Sequence, residues 1–219
     1  MAKKLVWDTI GNKRYETGVS KGVLYRQNES GVYNTGYAWN GLISVDESPE
    51  GAEPTDLYAD NAKYLSLLSA EKFKCTIKAY DYPDEFAECD GSVEIVEGVT
   101  IGQQSRATFG FAYRTEIGND ILKEAYGYKI HLVYGCNASP SGVSRETINE
   151  SPSAGELSWE VSTTPVPVTG ADKPTATLVI DSTKVDKAKL AAIEEILYGS
   201  DTAEPRLPLP DEIKTLMAA

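Results

Sequence analysis

The sequence predicts a mainly β protein: one antiparallel β-sandwich or barrel domain with a single flanking helix over about 184–198 and extended terminal arms. Three observations carry this. Apolar and polar residues alternate with period two in short stretches, as in Phe73, Cys75, Ile77 and Ala79 against Lys72, Lys74, Thr76 and Lys78. Turn residues punctuate these stretches at Glu29-Ser-Gly31, Ser48-Pro-Glu-Gly51, Asp90-Gly91 and Ser139-Pro-Ser-Gly142. Helical periodicity is confined to one clear segment. Successive strand side chains point to opposite faces, so about nine such stretches in one chain imply packed antiparallel strands.

In chain order, strands are expected over 19–26, 38–46, 55–60, 72–80, 92–96, 108–114, 129–134, 156–162 and 175–181. The 72–80 strand faces inward through Phe73, Cys75, Ile77 and Ala79, and the 156–162 strand through Leu157, Trp159 and Val161. Pro83-Asp-Glu-Phe-Ala-Glu-Cys89 reads as a short helix with Pro at its first position and acids in its first turn. Leu190, Ile193 and Leu197 place the main helix over 185–198, with Ser182 or Thr183 as N-cap and Gly199 as its stop. After Gly199 comes Glu204-Pro-Arg-Leu-Pro-Leu-Pro210, too proline-rich for a central strand. The expected division is therefore a β domain over 1–199, with a basic leader over 1–26, and an extended arm over 200–219 that lies on a neighbour.

At 219 residues the chain can bury a core without disulfides or metals. It is 41% hydrophobic and 25% charged, which excludes disordered and collagenous classes. No apolar run reaches the 18 or so residues of a membrane helix, and the start lacks the apolar region of a secretory signal. A formal charge of −12 and a pI near 4.6 argue against a surface that grips nucleic acid. Cys75, Cys89 and Cys136 lack motif spacing and read as free thiols of a reducing compartment, where sequons at Asn28, Asn137 and Asn149 stay unmodified.

Catalytic and metal motifs are weak. Gly18-Val-Ser-Lys-Gly22 fits the pattern of a nucleophile elbow, with His131 downstream, but Ser20 runs into strand-like residues and not into a helix. A turn with paired glycines is the better reading. His131, the only histidine, reads as a wet or interfacial sheet position. The acids of Asp81-Tyr-Pro-Asp-Glu-Phe-Ala-Glu-Cys-Asp90 match no calcium loop, and neither a zinc set nor a phosphate-binding loop is present. No cofactor is expected.

Charge placement says more. Residues 1–26 carry Lys3, Lys4, Lys13, Arg14, Lys21 and Arg26 against Asp8 and Glu16. Residues 27–62 carry Glu29, Asp46, Glu47, Glu50, Glu53, Asp56 and Asp60 and no base. Residues 79–105 are again acidic and baseless. A solvated acidic face is one reading. A head-to-tail assembly, in which the basic leader of one subunit meets the acidic hairpin around Ser48–Gly51 of the next, is another.

In order along the chain come Glu16-Thr-Gly-Val-Ser-Lys-Gly-Val-Leu-Tyr25, Ala38-Trp-Asn-Gly-Leu42, Leu57-Tyr-Ala-Asp-Asn61, and Tyr82-Pro-Asp-Glu-Phe-Ala-Glu-Cys-Asp-Gly91. Gly98-Val-Thr-Ile-Gly-Gln-Gln104, Gly127-Tyr-Lys-Ile-His-Leu-Val-Tyr-Gly135, Ser158-Trp-Glu-Val-Ser-Thr-Thr-Pro-Val-Pro167, Lys173-Pro-Thr-Ala-Thr-Leu178 and Leu197-Tyr-Gly199 follow. With this series the chain resembles, over nearly its whole length, the major tail tube proteins of siphophages, the long-tailed, non-contractile phages, especially those of Gram-positive hosts and their prophages. The resemblance implies a β-sandwich of the phage tail-tube type and a structural virion protein, not an enzyme. Its subunits would form hexameric rings stacked into a hollow tail around a tape measure protein. Tail terminator and distal tail proteins would close the tube's ends, and phage DNA would pass through without specific binding. Assembly would take place in the host cytoplasm, with no membrane partner.

Under that reading the candidate inter-ring or lumen-facing residues are Asp46, Glu47, Glu50, Glu53, Asp56 and Asp60. Their basic partners would be Lys13, Arg14, Lys21, Arg26, Lys72, Lys74 and Lys78. Arg206, Leu207, Leu209, Ile213 and Leu216 would be the contact residues of the arm. A cytosolic β-sandwich binding module with an acidic ligand-facing patch is the alternative, and a hydrolase built on Ser20 and His131 a third class.

Overall fold

The computed structural model describes residues 4–148 and 154–218; Lys3 and the Asn149 sequon lie outside them. The protein is mainly β and antiparallel throughout. Its strands are β1 (Arg14–Arg26), β2 (Thr35–Trp39), β3 (Leu42–Glu47), β4 (Pro54–Ala59), β5 (Ala62–Leu68) and β6 (Lys74–Ala79). Then follow β7 (Val93–Val96), β8 (Val99–Ile101), β9 (Phe109–Asn119), β10 (Lys123–Ala138), β11 (Leu157–Thr163) and β12 (Thr177–Asp181). The main sheet runs β2-β1-β9-β10-β11-β6-β3, with β12 also paired to β10; β4–β5 and β7–β8 are separate hairpins.

The alternation read from sequence sets the inward faces. Cys75, Ile77 and Ala79 are buried, as are Trp159 and Val161. They share one cluster with Leu24, Phe109, Phe111 and Tyr113 from β1 and β9, strands distant in the sheet order, so the sheet folds over on itself. Trp39, Phe86, Phe109 and Trp159 pack edge to face or tilted at centroid distances of 4.6–5.6 Å, arrangements that suit the ring quadrupoles.

β10 joins the two halves because its free edge is shared. Lys129–Val133 pair with β12, and Cys136–Ala138 pair with β11. Gly135 makes the switch at φ +60, where a Cβ would collide with the Thr164 carbonyl. Only glycine serves there.

The other face of β1, β9 and β10 is also covered. Val23, Tyr25, Ala112, Ile130, Leu132 and Tyr134 pack under α2 (Lys187–Tyr198), which supplies Leu190, Ile193 and Leu197. Its N-cap is Asp186, whose carboxylate accepts from the amides of Ala188 and Lys189. The expected caps serve elsewhere: Thr183 turns back onto Asp181, and the Ser182 hydroxyl accepts from Tyr128 N. The 83–89 segment is a single 3₁₀ turn, Asp84–Phe86, that runs into the four-residue α1 (Ala87–Asp90). Pro83 caps it and does not sit inside it.

The extended C-terminal arm is corrected. Residues 205–209 run along their own domain, where Leu207 bridges Tyr33 and Arg206 N donates to the Ile196 carbonyl at 2.9 Å. The chain then forms α3 (Pro210–Ala218), with Pro at its start and Asp211 and Glu212 in the first turn. Leu207 and Ile213 are buried in the α2 cluster, with Leu216 partly buried beside them, while Leu209 stays exposed. Arg206 grips Glu212 through two hydrogen bonds of 2.8 and 2.5 Å. Proline kept residues 205–209 extended as expected; Leu207 found the protein's own core.

Candidate assembly surfaces

Some of the acids and bases singled out in sequence meet within one chain. β3 runs along β6, which places Asp46 opposite Thr76 and Glu47 opposite Cys75, and the pairing continues to a bridge between Glu50 and Lys72. Residues 48–51 are thus a continuation of the ladder, not the tip of a hairpin. Lys74 meets Glu50 at 2.6 Å and Lys78 meets Asp46 at 3.8 Å. Asp56 pairs with Lys63 at 2.7 Å inside the β4–β5 hairpin and is held below the usual carboxylate range by Lys63 and Ser66.

The remaining charges divide in the same way. Arg26 pairs with Glu88, Arg14 lies 5.1 Å from the centre of the Tyr126 ring and Lys21 5.0 Å from that of Tyr198. Glu53 remains at the surface, and Asp60 sits at the true hairpin tip, Asp60-Asn61, where both residues have positive φ. Two adjacent residues of that kind make the tight turn whose twist matches a hairpin. The Asp-Asn dipeptide was its sequence signal.

Glu47 is exposed, and its carboxylate leans over β9 and β10. It accepts from the Tyr113 hydroxyl at 2.5 Å and lies 3.7 Å from Nδ1 of His131. The His131 ring stacks on Tyr113 (4.6 Å, 6°), its Nε2 reaches Thr115 Oγ1 at 2.9 Å and Glu16 at 3.3 Å, and Nδ1 has no hydrogen-bond partner among the described residues. The side chain is only 12% exposed while both carboxylates lie at the surface, an interfacial sheet position and not a fully wet one. Burial outweighs the two carboxylates and holds the His131 pKa below its ordinary value.

Ser20 is in none of these contacts. It lies within β1 between two register shifts, with Gly18 and Lys21 at positive φ, so the glycine pair marks bulges inside a long strand and not a turn at its end. The three cysteines are free and buried, and burial raises the thiols of Cys75 and Cys89 to about 12.

What the fold leaves uncovered is apolar surface and open sheet edge. Every residue of β4, β5, β7 and β8 is exposed. In β4–β5, Leu57 opposite Leu65 makes one face apolar, while Asp56 opposite Ser66 makes the other polar. In β7–β8, Val93 faces Ile101 and Glu94 faces Thr100. Leu5, Val6, Trp7 and Ile10, ahead of β1, are exposed as well, Trp7 at 73%.

One row crosses four strands of the main sheet: Ser20, Arg114, Ile130 and Ile180 of β1, β9, β10 and β12. Both outer edges of this row are open among the described residues, because β2 joins β1 only from Gly22 onward and β12 pairs β10 alone. Along β12 runs a groove of about 560 Å³ lined by Val179, Lys184, Val185, Lys189, Ile213 and Met217. Among the described residues no cluster could hold a metal ion, and no helix is long and apolar enough to cross a membrane. No protein-family model and no curated protein matches this sequence.

Proposed function

We propose that this chain is the major tail tube subunit of a non-contractile phage tail, a β-sandwich of the tail-tube type whose copies form hexameric rings stacked around a tape measure protein. The observation that carries the reading is the pair of open edges on one four-stranded stretch, the Arg14–Ser20 half of β1 on one side and β12 on the other. An open edge presents unpaired N–H and C=O groups that another strand can satisfy. Two different edges on one sheet make that contact heterologous, and a heterologous contact closes into a ring when its rotation permits.

Six copies of four strands, spaced about 4.8 Å apart, give a wall of about 115 Å circumference and a bore of about 37 Å before strand tilt and side chains. Such a bore passes a DNA duplex. A ring would carry a formal charge of −72, which repels phosphate and suits transit without specific binding. The ordered sequence resemblance supplies the virion context, the tape measure protein in the lumen and the terminator and distal tail proteins at the ends. An acidic ligand-facing patch has less support, since Asp46, Glu50 and Asp56 already meet lysines of the same chain.

The test is negative-stain microscopy of the purified protein. Long hollow filaments of uniform width are expected. A protein that stays monomeric on concentration would overturn the reading.

A further inference from the structure

We infer that the segment over residues 4–10 of one subunit docks on the β7–β8 hairpin of the next, with Lys4-Leu-Val-Trp7 adding to it as a third strand. This deepens the tube reading by naming an axial contact, and it rests on that reading only for the presence of a neighbour.

The two partners have matching deficits. β7 and β8 are four and three residues long and exposed on both faces. A lone two-stranded hairpin is marginal in water, and a third strand with an apolar face relieves that. Lys4–Trp7 matches β7 in length, and at Asp8, with φ +53, the chain leaves the extended conformation. As a strand it carries Leu5 and Trp7 on one side and Lys4 and Val6 on the other. The hairpin carries Val93 opposite Ile101 on one face and Glu94 opposite Thr100 on the other. Leu5 and Trp7 thus extend the Val93 face, and Lys4 falls on the Glu94 face. Charge agrees: the hairpin over 93–101 holds Glu94 and Glu97 and no base, while the 4–13 segment holds Lys4 and Lys13 against Asp8.

Position makes the contact intermolecular. The segment leaves the fold at the Arg14 end of β1, held where Asp120 accepts from Gly11 N and where Asp120 N donates to Lys13 O. The hairpin is rooted at the opposite end, where Glu88 pairs with Arg26 and Ala107 N donates to Glu88 O at 3.0 Å. Thirteen residues of strand separate the ends by about 40 Å, whereas seven residues reach about 24 Å. Surfaces at the two ends of one strand join head to tail and propagate along an axis.

The experiment uses the full chain with Trp7→Cys and Val93→Cys together, oxidised after assembly; the native cysteines are buried. A ladder of covalent trimers and higher species is expected, with each single variant stopping at dimers. In parallel, Trp7→Ser should raise the concentration for half-assembly about tenfold or more, while the thermal unfolding of the unassembled subunit stays put, since Trp7 touches no core. Tubes that form normally in Trp7→Ser, or cross-linking confined to monomers, would overturn this inference and leave the tube reading standing. A wild-type protein that never self-associates would overturn both.

Discussion

Replacing Leu207 with alanine tests whether the C-terminal segment belongs to the cooperative fold or merely rests on it. The side chain is 1% exposed and lies against Gly110, where a Cβ would collide with its Cδ2, and against the Tyr33 ring. Backbone bonds hold its surroundings: Leu207 N donates to Tyr33 O at 3.1 Å, Arg206 N to Ile196 O at 2.9 Å, and Tyr134 OH to Pro208 O at 3.0 Å. A site pinned in this way cannot collapse onto the cavity, so the loss belongs near the middle of the Leu→Ala range, about 3 kcal/mol. For a chain of this size that lowers Tm by about 6–12 °C. The assay is urea unfolding followed by far-UV circular dichroism and tryptophan fluorescence, at concentrations that keep the subunit unassembled, because assembly raises apparent stability by mass action. Both probes should show one transition with an unchanged m-value. The control is Leu209→Ala, at an exposed side chain, which should cost less than about 1 kcal/mol. A loss below about 0.5 kcal/mol at Leu207, or a separate early transition, would refute the docked segment and restore the arm.

Three further outcomes follow from the site geometry. Burial holds the His131 pKa below its ordinary 6.5, so the unfolded chain takes up the proton first; the stability tied to the neutral ring is present above pH 6.5 and lost as pH falls. The Tm difference between wild type and His131→Gln should therefore shrink between pH 7 and pH 5, and a flat or rising difference would contradict the buried placement. Cys75, whose thiol burial and the nearby Glu47 charge raise to about 12, should react with a thiol reagent at pH 8 only on unfolding; rapid native labelling would refute the register of β6. Gly135→Ala should cost at least about 2 kcal/mol in denaturant unfolding, because φ is +60 and the new Cβ meets the Thr164 carbonyl; a neutral substitution would mean that the β10 switch is placed wrongly.

Strand identity was legible wherever one face is wet, because there burial writes itself as period two: β6 and β11 fall within a residue or two of the 72–80 and 156–162 expectations. The signal fails where both faces are covered. β10 buries Ile130, Leu132 and Tyr134 under α2 and Val133 and Cys136 toward the other cluster, so sequence marked six of its sixteen residues. It fails again where no face is covered, as in β5 and β8. The 38–46 strand divides at Asn40-Gly41, where Gly41 takes φ +70 and the chain crosses from one sheet edge to the other. α3 was hidden by the prolines before it, although Pro210-Asp-Glu is a helix start.

The candidate site was read through charge, and Asp46, Glu50 and Asp56 of that set already meet lysines of their own chain. A base far off in sequence can reach an acid through the sheet, as Lys74 reaches Glu50 from a diagonal position and Lys129 reaches Glu16 from the far side of β9, and sequence distance hides this. Exposed pairs of that kind contribute roughly 0–1 kcal/mol each and weaken with salt, so they order the surface without driving association. Apolar surface, at about 25 cal/mol per Å², does drive it. The exposed leucines and tyrosines of β4–β5, the valines and isoleucines of β7–β8 and the Leu5–Trp7 stretch are therefore where a protein of net charge −12 can gain free energy from a second copy. The excess negative charge then has a separate consequence. In the proposed tube, spread over every subunit, it would oppose indiscriminate aggregation and leave only contacts whose apolar faces and sheet edges fit, which is the condition for a filament of one defined geometry.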